Sequence, residues 1–419
     1  MLNETFLNIL KHAIRGEKAT GCEELTLEQW QRLFAMAGIH SVMPLFYEAV
    51  YDTPVLKDVN EPFVFLAKRQ VVHQVMMQAM KTSEFLMLNK KMQEAGVKPL
   101  VVKGLVCRNL YPQPDHRPSG DEDILIPEEK FDVCHHVMQE FGMAALCEEE
   151  DMAAIHEVSY GKPGSPLYIE MHKHLFPPAS EAYGYLNDFF VGVFDRAVAM
   201  EIQGQTVYTL DYTDNLFYML CHALKHFLHS GFGIRQVCDI IMFAMHYGEH
   251  IDWTRIMRNC KAINAEYFAA SLFKIGRKYL GFDPDKACWT EEWNNLDVDE
   301  TDMLKDLLDG GIYGDSDMSR KHSSNITLDA VKSQYIGRKS KNSVTAALFP
   351  SRYSMEDKYP YLKKHPYLLP VAWISRIVKY AGERPMRKGN NAAASLKIGH
   401  DRVNLMKKYG IIKDGKRKK

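Results

Sequence analysis

Residues 98–126 read KPLVVKGLVCRNLYPQPDHRPSGDEDILI, and this stretch decides the fold. An apolar run stops at Lys103 and Gly104, a turn-rich loop follows, and a second apolar run starts directly after Asp121 and Asp123. The pattern predicts a strand, a helical turn and a second strand. Burying a carboxylate costs free energy unless the group is paired or bound to a metal. Two acids one residue apart at the start of a buried strand therefore mark a candidate functional site.

The composition is that of an ordinary soluble globular chain, with 46% hydrophobic and 25% charged residues among 419. No run of about 18 apolar residues is present, so we expect no transmembrane segment. Lys11 and Arg15 interrupt the first apolar stretch, which argues against a secretory signal peptide. The eight cysteines form no C-x-x-C pair and indicate reduced core thiols. We therefore expect a cytoplasmic protein.

The net charge of −1 conceals a division between two parts of the chain. Residues 320–419 hold 24 Lys and Arg against 6 Asp and Glu, whereas residues 1–319 hold 28 against 47. A basic region of this kind is typical of contact with nucleic acid, phosphates or an anionic membrane surface. The alternative needs no partner, because the basic region can pack on the acidic body, especially near residues 297–317.

Periodicity and composition divide the chain into four regions. We expect an N-terminal helical region in residues 1–97, a core of strands and helices in 98–210, a helical domain in 211–319, and a basic C-terminal region with one or more helices and a disordered tail in 320–419. The predicted fold class is α+β, with a small mixed sheet that has helices on one face and is embedded in a largely helical protein.

Local signals support these elements. Thr26, Thr213-Asp214 and Asp252 are expected to cap the starts of helices. Gly96 is expected to end a long helix whose Met76, Met77 and Met80 fill the core. The predicted strands are KPLVV, DEDILI, MAALCEE, HEVSYGK and LYIEMHKHL.

Strand periodicity brings acidic side chains onto one face. Residues two apart on a strand point to the same side, so Asp121 and Asp123 are expected to point together. In LYIEMHKHL the same rule places Glu170 and His172 on one face. Ile169 and Met171 lie on the other face, which can be buried. Two carboxylates on one face suit Mg²⁺ or Mn²⁺, and a third from a neighbouring strand would allow a second metal ion.

The combination of these motifs resembles the nucleotidyltransferases of the DNA polymerase β superfamily, and within it a bacterial family of uncharacterised nucleotidyltransferase-like proteins. The matching residues are VVKG (Lys103, Gly104), Arg117, SGDEDILI (Asp121, Asp123) and YIEMH (Glu170, His172). The resemblance covers about residues 95–175 and extends more loosely to about residue 280. Unlike the usual Gly-Ser or Gly-Gly element, Gly104 here is followed by Leu105.

The resemblance implies a metal-dependent enzyme that moves a nucleoside monophosphate from a nucleoside triphosphate to a hydroxyl acceptor, which is a small molecule, a protein or an RNA end. It implies catalytic and metal-binding roles for Asp121, Asp123 and Glu170, nucleotide-binding roles for Lys103, Gly104, Arg117, Ser119 and Gly120, and a substrate cleft lined by His172, His226 and Arg235. The amides after Gly104, at a helix start, are expected to hold phosphate oxygens.

Other functions remain open at this stage. A degenerate site would make the chain a nucleotide- or RNA-binding protein, with residues 320–419 contacting RNA or an anionic surface. An amphipathic helix near residues 367–380, with Trp373, Arg376 and Lys379, would make it an envelope- or capsule-associated accessory protein. His222, His226 and His229 share a helical face, and we interpret them as core or cleft-lining residues rather than zinc ligands.

Overall fold

The computed structural model describes residues 2–58, 61–148, 152, 155–311, 318–335, 349–350, 352, 355, 358–382 and 392–413. The helices are α1 (Leu2–Ala13), α2 (Leu27–Ile39), α3 (Met43–Val50), α4 (Pro62–Glu94), α5 (Gly104–Arg108), α6 (Phe131–Glu140), α7 (Tyr212–His229), α8 (Ile234–Tyr247), α9 (Trp253–Ala262), α10 (Glu266–Ile275), α11 (Glu291–Asn294), α12 (Thr301–Gly310), α13 (Met318–Tyr335), α14 (Tyr361–Lys364), α15 (Leu369–Gly382) and α16 (Ala392–Lys408). The strands are β1 (Leu100–Val102), β2 (Glu122–Leu125), β3 (Ala144–Ala145), β4 (Glu157–Gly161), β5 (Tyr168–His172), β6 (Val198–Ile202) and β7 (Gln205–Thr209).

The strands form one mixed sheet in the order β3-β4-β5-β2-β1-β7-β6. Strand β2 runs parallel to β5 and β1 runs parallel to β7, whereas the other neighbours are antiparallel. The predicted α+β class, a small mixed sheet within a largely helical protein, is confirmed. In β4 and β5 one face is fully buried, as Val158 of β4 and Ile169 and Met171 of β5 show.

The β6–β7 hairpin extends the sheet beyond β1 and was not predicted. Its turn residues Gln203 and Gly204 both have positive φ angles, 51° and 74°, as the tight hairpin turns that match strand twist require. Strand β7 pairs in parallel with β1 through Leu100 and Tyr208. Both strands lie within the predicted core of residues 98–210, although neither was among the predicted strands.

The local signals had mixed outcomes. Thr26 forms a complete capping box with Gln29, and Asp252 caps α9, as predicted. Helix α7 is capped by Asp211, whose side chain accepts from the Asp214 amide, so the predicted Thr213-Asp214 cap was wrong. The predicted strand MAALCEE is a two-residue pair, β3.

The methionine cluster on α4 also differs from its prediction. Met76 is 57% exposed and Met80 is 45% exposed, so these two side chains do not fill the core. Helix α4 is 33 residues long, and only one of its faces packs against the rest of the protein. The methionines on its other face are exposed to solvent.

Glu122 connects β2 to α5 on the face opposite the candidate site. Its carboxylate accepts a 2.6 Å hydrogen bond from Arg108, a 2.9 Å bond from the Leu105 amide and a 2.9 Å bond from the Ser119 hydroxyl. Both Glu122 and Arg108 are fully buried. Gly104 permits this approach, because a Cβ there would lie 2.3 Å from the Glu122 Oε2 atom. The glycine at the start of α5 is thus required by packing against β2.

Helix α4 supports the turn that leads into β2. The Lys81 ammonium donates to the main-chain oxygens of Ser119, at 2.6 Å, and Gly120, at 2.8 Å. The Gln78 side chain accepts from the Ser119 amide at 2.8 Å. Because these groups satisfy the backbone of the turn, the acids that follow it are held in place.

The C-terminal helices pack behind α7. Helix α13 contacts both α7 and α16. Arg402 of α16 donates to the main-chain oxygens of Phe227 and His229. Both carbonyls lie in the last turn of α7, where a helix provides no amide to donate to them. The Thr327 hydroxyl of α13 donates to the oxygen of Leu228. The C-terminus of α7 is thereby fixed by residues distant in sequence.

Several basic residues of the C-terminal region pair with acids of the body. The Lys408 ammonium lies 2.7 Å from the Asp299 carboxylate, and the Arg320 guanidinium lies 2.7 Å from that of Asp306. Lys332 pairs with Glu181. For these described residues, the expectation that the basic region packs on the acidic body is confirmed.

Within the described residues, none of the helices has the length and apolar character needed to cross a membrane.

The contact between Gly104 and Glu122 gives a stability prediction. Gly104→Ala should lower the free energy of unfolding by about 2 kcal/mol or more, because the new methyl group would displace a buried, hydrogen-bonded carboxylate. The matched control is Gly38→Ala in α2, where the nearest atom to an added Cβ would be 3.6 Å away. That change should stabilise by up to about 1 kcal/mol. Urea unfolding followed by circular dichroism measures both, and equal effects of the two variants would contradict the role given to Gly104.

Candidate active site

Strand register places the candidate acids side by side. Asp123 of β2 is the direct neighbour of Glu170 on the parallel strand β5, and Glu157 of β4 is the direct neighbour of His172. Adjacent residues across a sheet point to the same face, so these four side chains share the face opposite Ile169. Strand alternation therefore gave the correct orientation of Glu170 and His172.

Three of these side chains form a compact group of possible metal ligands. One ligand atom each from Asp123, Glu170 and His172 lies within 4.8 Å of the others. The His172 Nε2 atom is 3.0 Å from the Asp123 carboxylate. Because a carboxylate only accepts, this Nε2 carries the proton and orients Asp123.

Asp121 lies just before β2 and lines the same cleft without belonging to this group. Burial and the neighbouring Asp123 carboxylate raise the pKa of Asp121. The predicted set of Asp121, Asp123 and Glu170 is therefore gathered around one cleft, but the tightest group replaces Asp121 with His172.

Lys103 joins the two walls of the cleft. Its ammonium lies 3.0 Å from the Asp123 carboxylate and donates to the Nε2 atom of His222, on α7, at 2.7 Å. Burial alone would lower the pKa of Lys103, but Asp123 raises it above its usual value. The backbone of Lys103 has φ 55° and ψ −116°, which costs a non-glycine residue about 1–3 kcal/mol. The strained turn after β1 directs this cation into the cleft.

The carboxylates of the cleft differ in electrostatic environment. Burial, together with Glu157, Asp123 and Asp121, raises the pKa of Glu170 to about 8. Burial would also raise the pKa of Asp123, but Lys103 and His172 lower it below its usual value. The site thus holds more negative charge than its own cations neutralise, which is the condition that a bound divalent cation relieves.

Helix α7 supplies the opposite wall of the cleft. The Nε2 atom of His226 lies 3.2 Å from the His222 Nε2 atom that accepts from Lys103. Burial lowers the pKa of both rings well below its ordinary value. These histidines are therefore neutral cleft-lining groups, which agrees with their interpretation from the sequence.

Arg117 lines the cleft, but its guanidinium is already paired. Its Nε and Nη2 atoms donate to the two oxygens of Asp239, on α8, at 3.0 and 2.5 Å. The Tyr111 hydroxyl donates to the same carboxylate at 2.8 Å. Arg117 is 4% exposed, and its contacts join the sheet region to α8. The expected phosphate contact is thus replaced, in this structure, by a structural ion pair.

The loop residues expected to bind nucleotide are also engaged in the fold. The Leu105 amide, one of those that follow Gly104, donates to Glu122 rather than facing the cleft. Ser119 lines the cleft, although its hydroxyl donates to Glu122. Gly120 is exposed in the turn and is not among the residues that line the cleft.

The cleft has a volume of about 360 Å³. Its walls include the three residues predicted for a substrate cleft, His172, His226 and Arg235. The Arg235 guanidinium donates to the main-chain oxygen of Pro118 at 2.6 Å. The volume lies within the range of about 300–1,000 Å³ that is typical of small-molecule sites.

Two charged residues of the cleft were missed from the sequence. Glu157 lies on β4 with a carboxylate oxygen 3.5 Å from the His172 Nδ1 atom. Lys225 of α7 lines the cleft, and burial lowers its pKa, partly offset by the Glu157 charge. Among the residues that the structure describes, its ammonium makes no hydrogen bond or ion pair. Lys225 is three residues after His222, a helical spacing that could have identified it.

The chain matches a protein-family model and has weak similarity to a solved structure. The family model described as uncharacterised nucleotidyltransferase matches residues 26–281, well beyond the motif region. Among solved structures, the chain is similar to an antigenic nucleotidyltransferase-like protein from Paracoccidioides brasiliensis, at 14% sequence identity and a TM-score of 0.30. That similarity covers 46% of this chain and 92% of that chain. No curated protein matches the chain.

The family match spans more than half of the 419 residues, and it includes every residue that lines the cleft. The expected bacterial origin stays a prediction. The chain belongs to this family of uncharacterised nucleotidyltransferases.

Proposed function

We propose that the cleft transfers a nucleoside monophosphate from a nucleoside triphosphate to a hydroxyl acceptor, with a divalent metal ion held by Asp123 and Glu170. The observation that supports this most is the position of these two carboxylates, which face the same side of adjacent parallel strands. Membership of the nucleotidyltransferase family supports the same class of reaction.

The donor set fits a magnesium or manganese ion. Asp123 and Glu170 offer hard oxygen ligands within 4.8 Å of each other, and Asp121 lines the same cleft. The ion pair between the Lys103 ammonium and Asp123, at 3.0 Å, supports the proposal that a cation is stabilised beside this carboxylate. The bound ion would neutralise charge on the triphosphate and acidify the acceptor hydroxyl.

His172 is a positioning residue in this proposal. Its Nε2–H donates to the Oδ1 atom of Asp123, while the Oδ2 atom lies 3.0 Å from the Lys103 ammonium, so a bound metal ion would take over or share that second oxygen. The opposite ring nitrogen, Nδ1, is buried, makes no hydrogen bond among the described residues, and lies 3.5 Å from a Glu157 carboxylate oxygen. Such outer partners hold a ligand in the geometry that binding needs.

Phosphate recognition falls mainly to Lys225. Lys103, Arg117 and Arg235 all have partners within the protein, whereas the described residues provide none for the Lys225 ammonium. A charge-assisted hydrogen bond to a phosphate oxygen would satisfy it. Ser119 and the turn beside Gly120 would then form the edge of the nucleotide site.

In the reaction, the acceptor oxygen forms a bond to the α-phosphorus while the bond to the β-phosphate bridge breaks. Pyrophosphate leaves, and the hydroxyl proton passes to solvent. The protein contributes by holding the triphosphate and acceptor in line and by stabilising the charge that develops, which are the main sources of rate enhancement in phosphoryl transfer. The acceptor remains one of the three classes expected from the sequence.

The first prediction concerns transfer activity. Asp123→Asn and Glu170→Gln should each lower transfer of label from an α-³²P triphosphate, with Mg²⁺ or Mn²⁺, by more than about 100-fold, since even outer partners of metal sites are worth about 10–100-fold. RNA, protein and metabolite extracts are each supplied in turn as the source of the acceptor. The control is Asp132→Asn, an exposed acid on α6 outside the cleft, which should leave transfer unchanged.

Two results would contradict the proposal. Undiminished transfer by Asp123→Asn would remove that carboxylate from the chemistry. Metal-dependent nucleotide binding by the wild type with no transfer to any acceptor class would favour the degenerate binding protein instead.

The second prediction concerns Lys225. Lys225→Met should raise the KM or Kd for nucleoside triphosphate by about 10- to 100-fold, because one charge-assisted hydrogen bond is lost. Lys225→Arg should retain most of the affinity. Binding of Mn²⁺ alone, measured by calorimetry, should not weaken in either variant. If Lys225→Met binds nucleotide as tightly as the wild type, phosphate recognition belongs to another residue.

A further inference from the structure

Helix α15 presents an apolar stripe to solvent. Val371, Ile374 and Val378 are 53%, 64% and 65% exposed, and their spacing of three and four residues places them on one helical face. Tyr367, directly before the helix, is 72% exposed. Contiguous exposed apolar side chains of this kind mark interaction surfaces.

The stripe is not the packing face of α15. Ala372 is fully buried and forms a small cluster with Met355 and Leu362, separate from the main hydrophobic core. The Trp373 indole N–H donates to the main-chain oxygen of Pro350 at 2.9 Å. The helix therefore has a satisfied inner face, and its exposed stripe is a second apolar face.

The surroundings of the stripe are basic. Residues 349–382 contain six Lys and Arg against two Asp and Glu. Lys358 and Lys364 are exposed, and no carboxylate pairs with either within the described part of the chain. They differ in this from Arg320 and Lys408, whose charges are neutralised by acids of the body.

This combination fits a lipid surface better than a nucleic acid. Branched aliphatic side chains such as Ile374 have no π face for stacking on bases, which is how proteins bind unpaired nucleotides. Apolar side chains beside lysines and exposed tyrosines are instead typical of helices that lie in the membrane interface. At 14 residues α15 is shorter than the roughly 20 needed to span a bilayer, so it would lie in the plane.

We propose that the exposed stripe of α15, together with Lys358 and Lys364, forms a docking surface for an anionic membrane. Val371, Ile374 and Val378 enter the boundary between headgroups and acyl chains, while Lys358 and Lys364 contact anionic headgroups. The inference is independent of the transfer reaction, because none of these residues lines the cleft.

The test is flotation of the full chain with vesicles of phosphatidylcholine containing about 30% phosphatidylglycerol, at low salt. We expect the wild type to float with these vesicles and not with pure phosphatidylcholine. The variant Val371→Gln/Ile374→Gln/Val378→Gln should lose about tenfold or more in partitioning, because three apolar side chains no longer leave water. Lys358→Gln/Lys364→Gln should weaken binding and reduce its dependence on salt.

The matched control lies on the exposed face of α4. Met76→Gln/Met80→Gln/Met87→Gln removes apolar side chains of similar exposure, 57%, 45% and 49%, and should leave flotation unchanged. Circular dichroism and the transfer assay show whether each variant is folded. Failure of the wild type to float, equal loss in the α4 control, or binding to single-stranded RNA in place of vesicles would each overturn the proposal.

Discussion

The arrangement of the cleft depends on the buried ion pair between Glu122 and Arg108. Neither residue is exposed to solvent, and the carboxylate also accepts from the Leu105 amide and the Ser119 hydroxyl. Loss of one partner from such a pair leaves an uncompensated buried charge, which costs about 3–5 kcal/mol. Because Glu122 is fixed on one face of β2, Asp123 must point to the other. The acid in the middle of the Asp-Glu-Asp sequence is therefore structural, and its neighbours are free for chemistry.

The same ion pair sets the position of the cation that faces these acids. Glu122 holds the start of α5 against β2, and Lys103 immediately precedes that helix. Lys103 then reaches Asp123 on the sheet and His222 on α7. The C-terminal region takes part indirectly, since Arg402 holds the end of α7. The sheet and α7 thus form the two walls of the cleft, and Asp123 and Glu170 come from two neighbouring strands.

Local patterns predicted the residues whose neighbours are close in sequence. Strand alternation was enough to orient Glu170 and His172 together, and the capping signal at Thr26 was sufficient for α2. Partners far along the chain were not predictable in this way. Arg117 was expected to meet phosphate, but it pairs with Asp239, which is 122 residues away. An arginine before an acidic motif carries no local sign of such a partner.

The missed elements have similar physical causes. The β6–β7 hairpin is an exception, because both its Gln203-Gly204 turn and the β-branched and aromatic residues of β7 were local signals that could have identified it. Lys225 was overlooked among helical residues, because only the folded chain shows that its ammonium has no ion-pair partner among the described residues. The long exposed face of α4 misled the interpretation of Met76, since helical periodicity alone does not show which apolar side chains find a core.

The most direct measurement is the anomalous scattering of Mn²⁺ in crystals grown with a non-hydrolysable nucleoside triphosphate analogue. A manganese peak within coordination distance of both Asp123 and Glu170, with the triphosphate extending toward Lys225, is the expected result. A nucleotide bound elsewhere, or a cleft in which these carboxylates bind no metal while nucleotide is present, would contradict the proposed catalytic site.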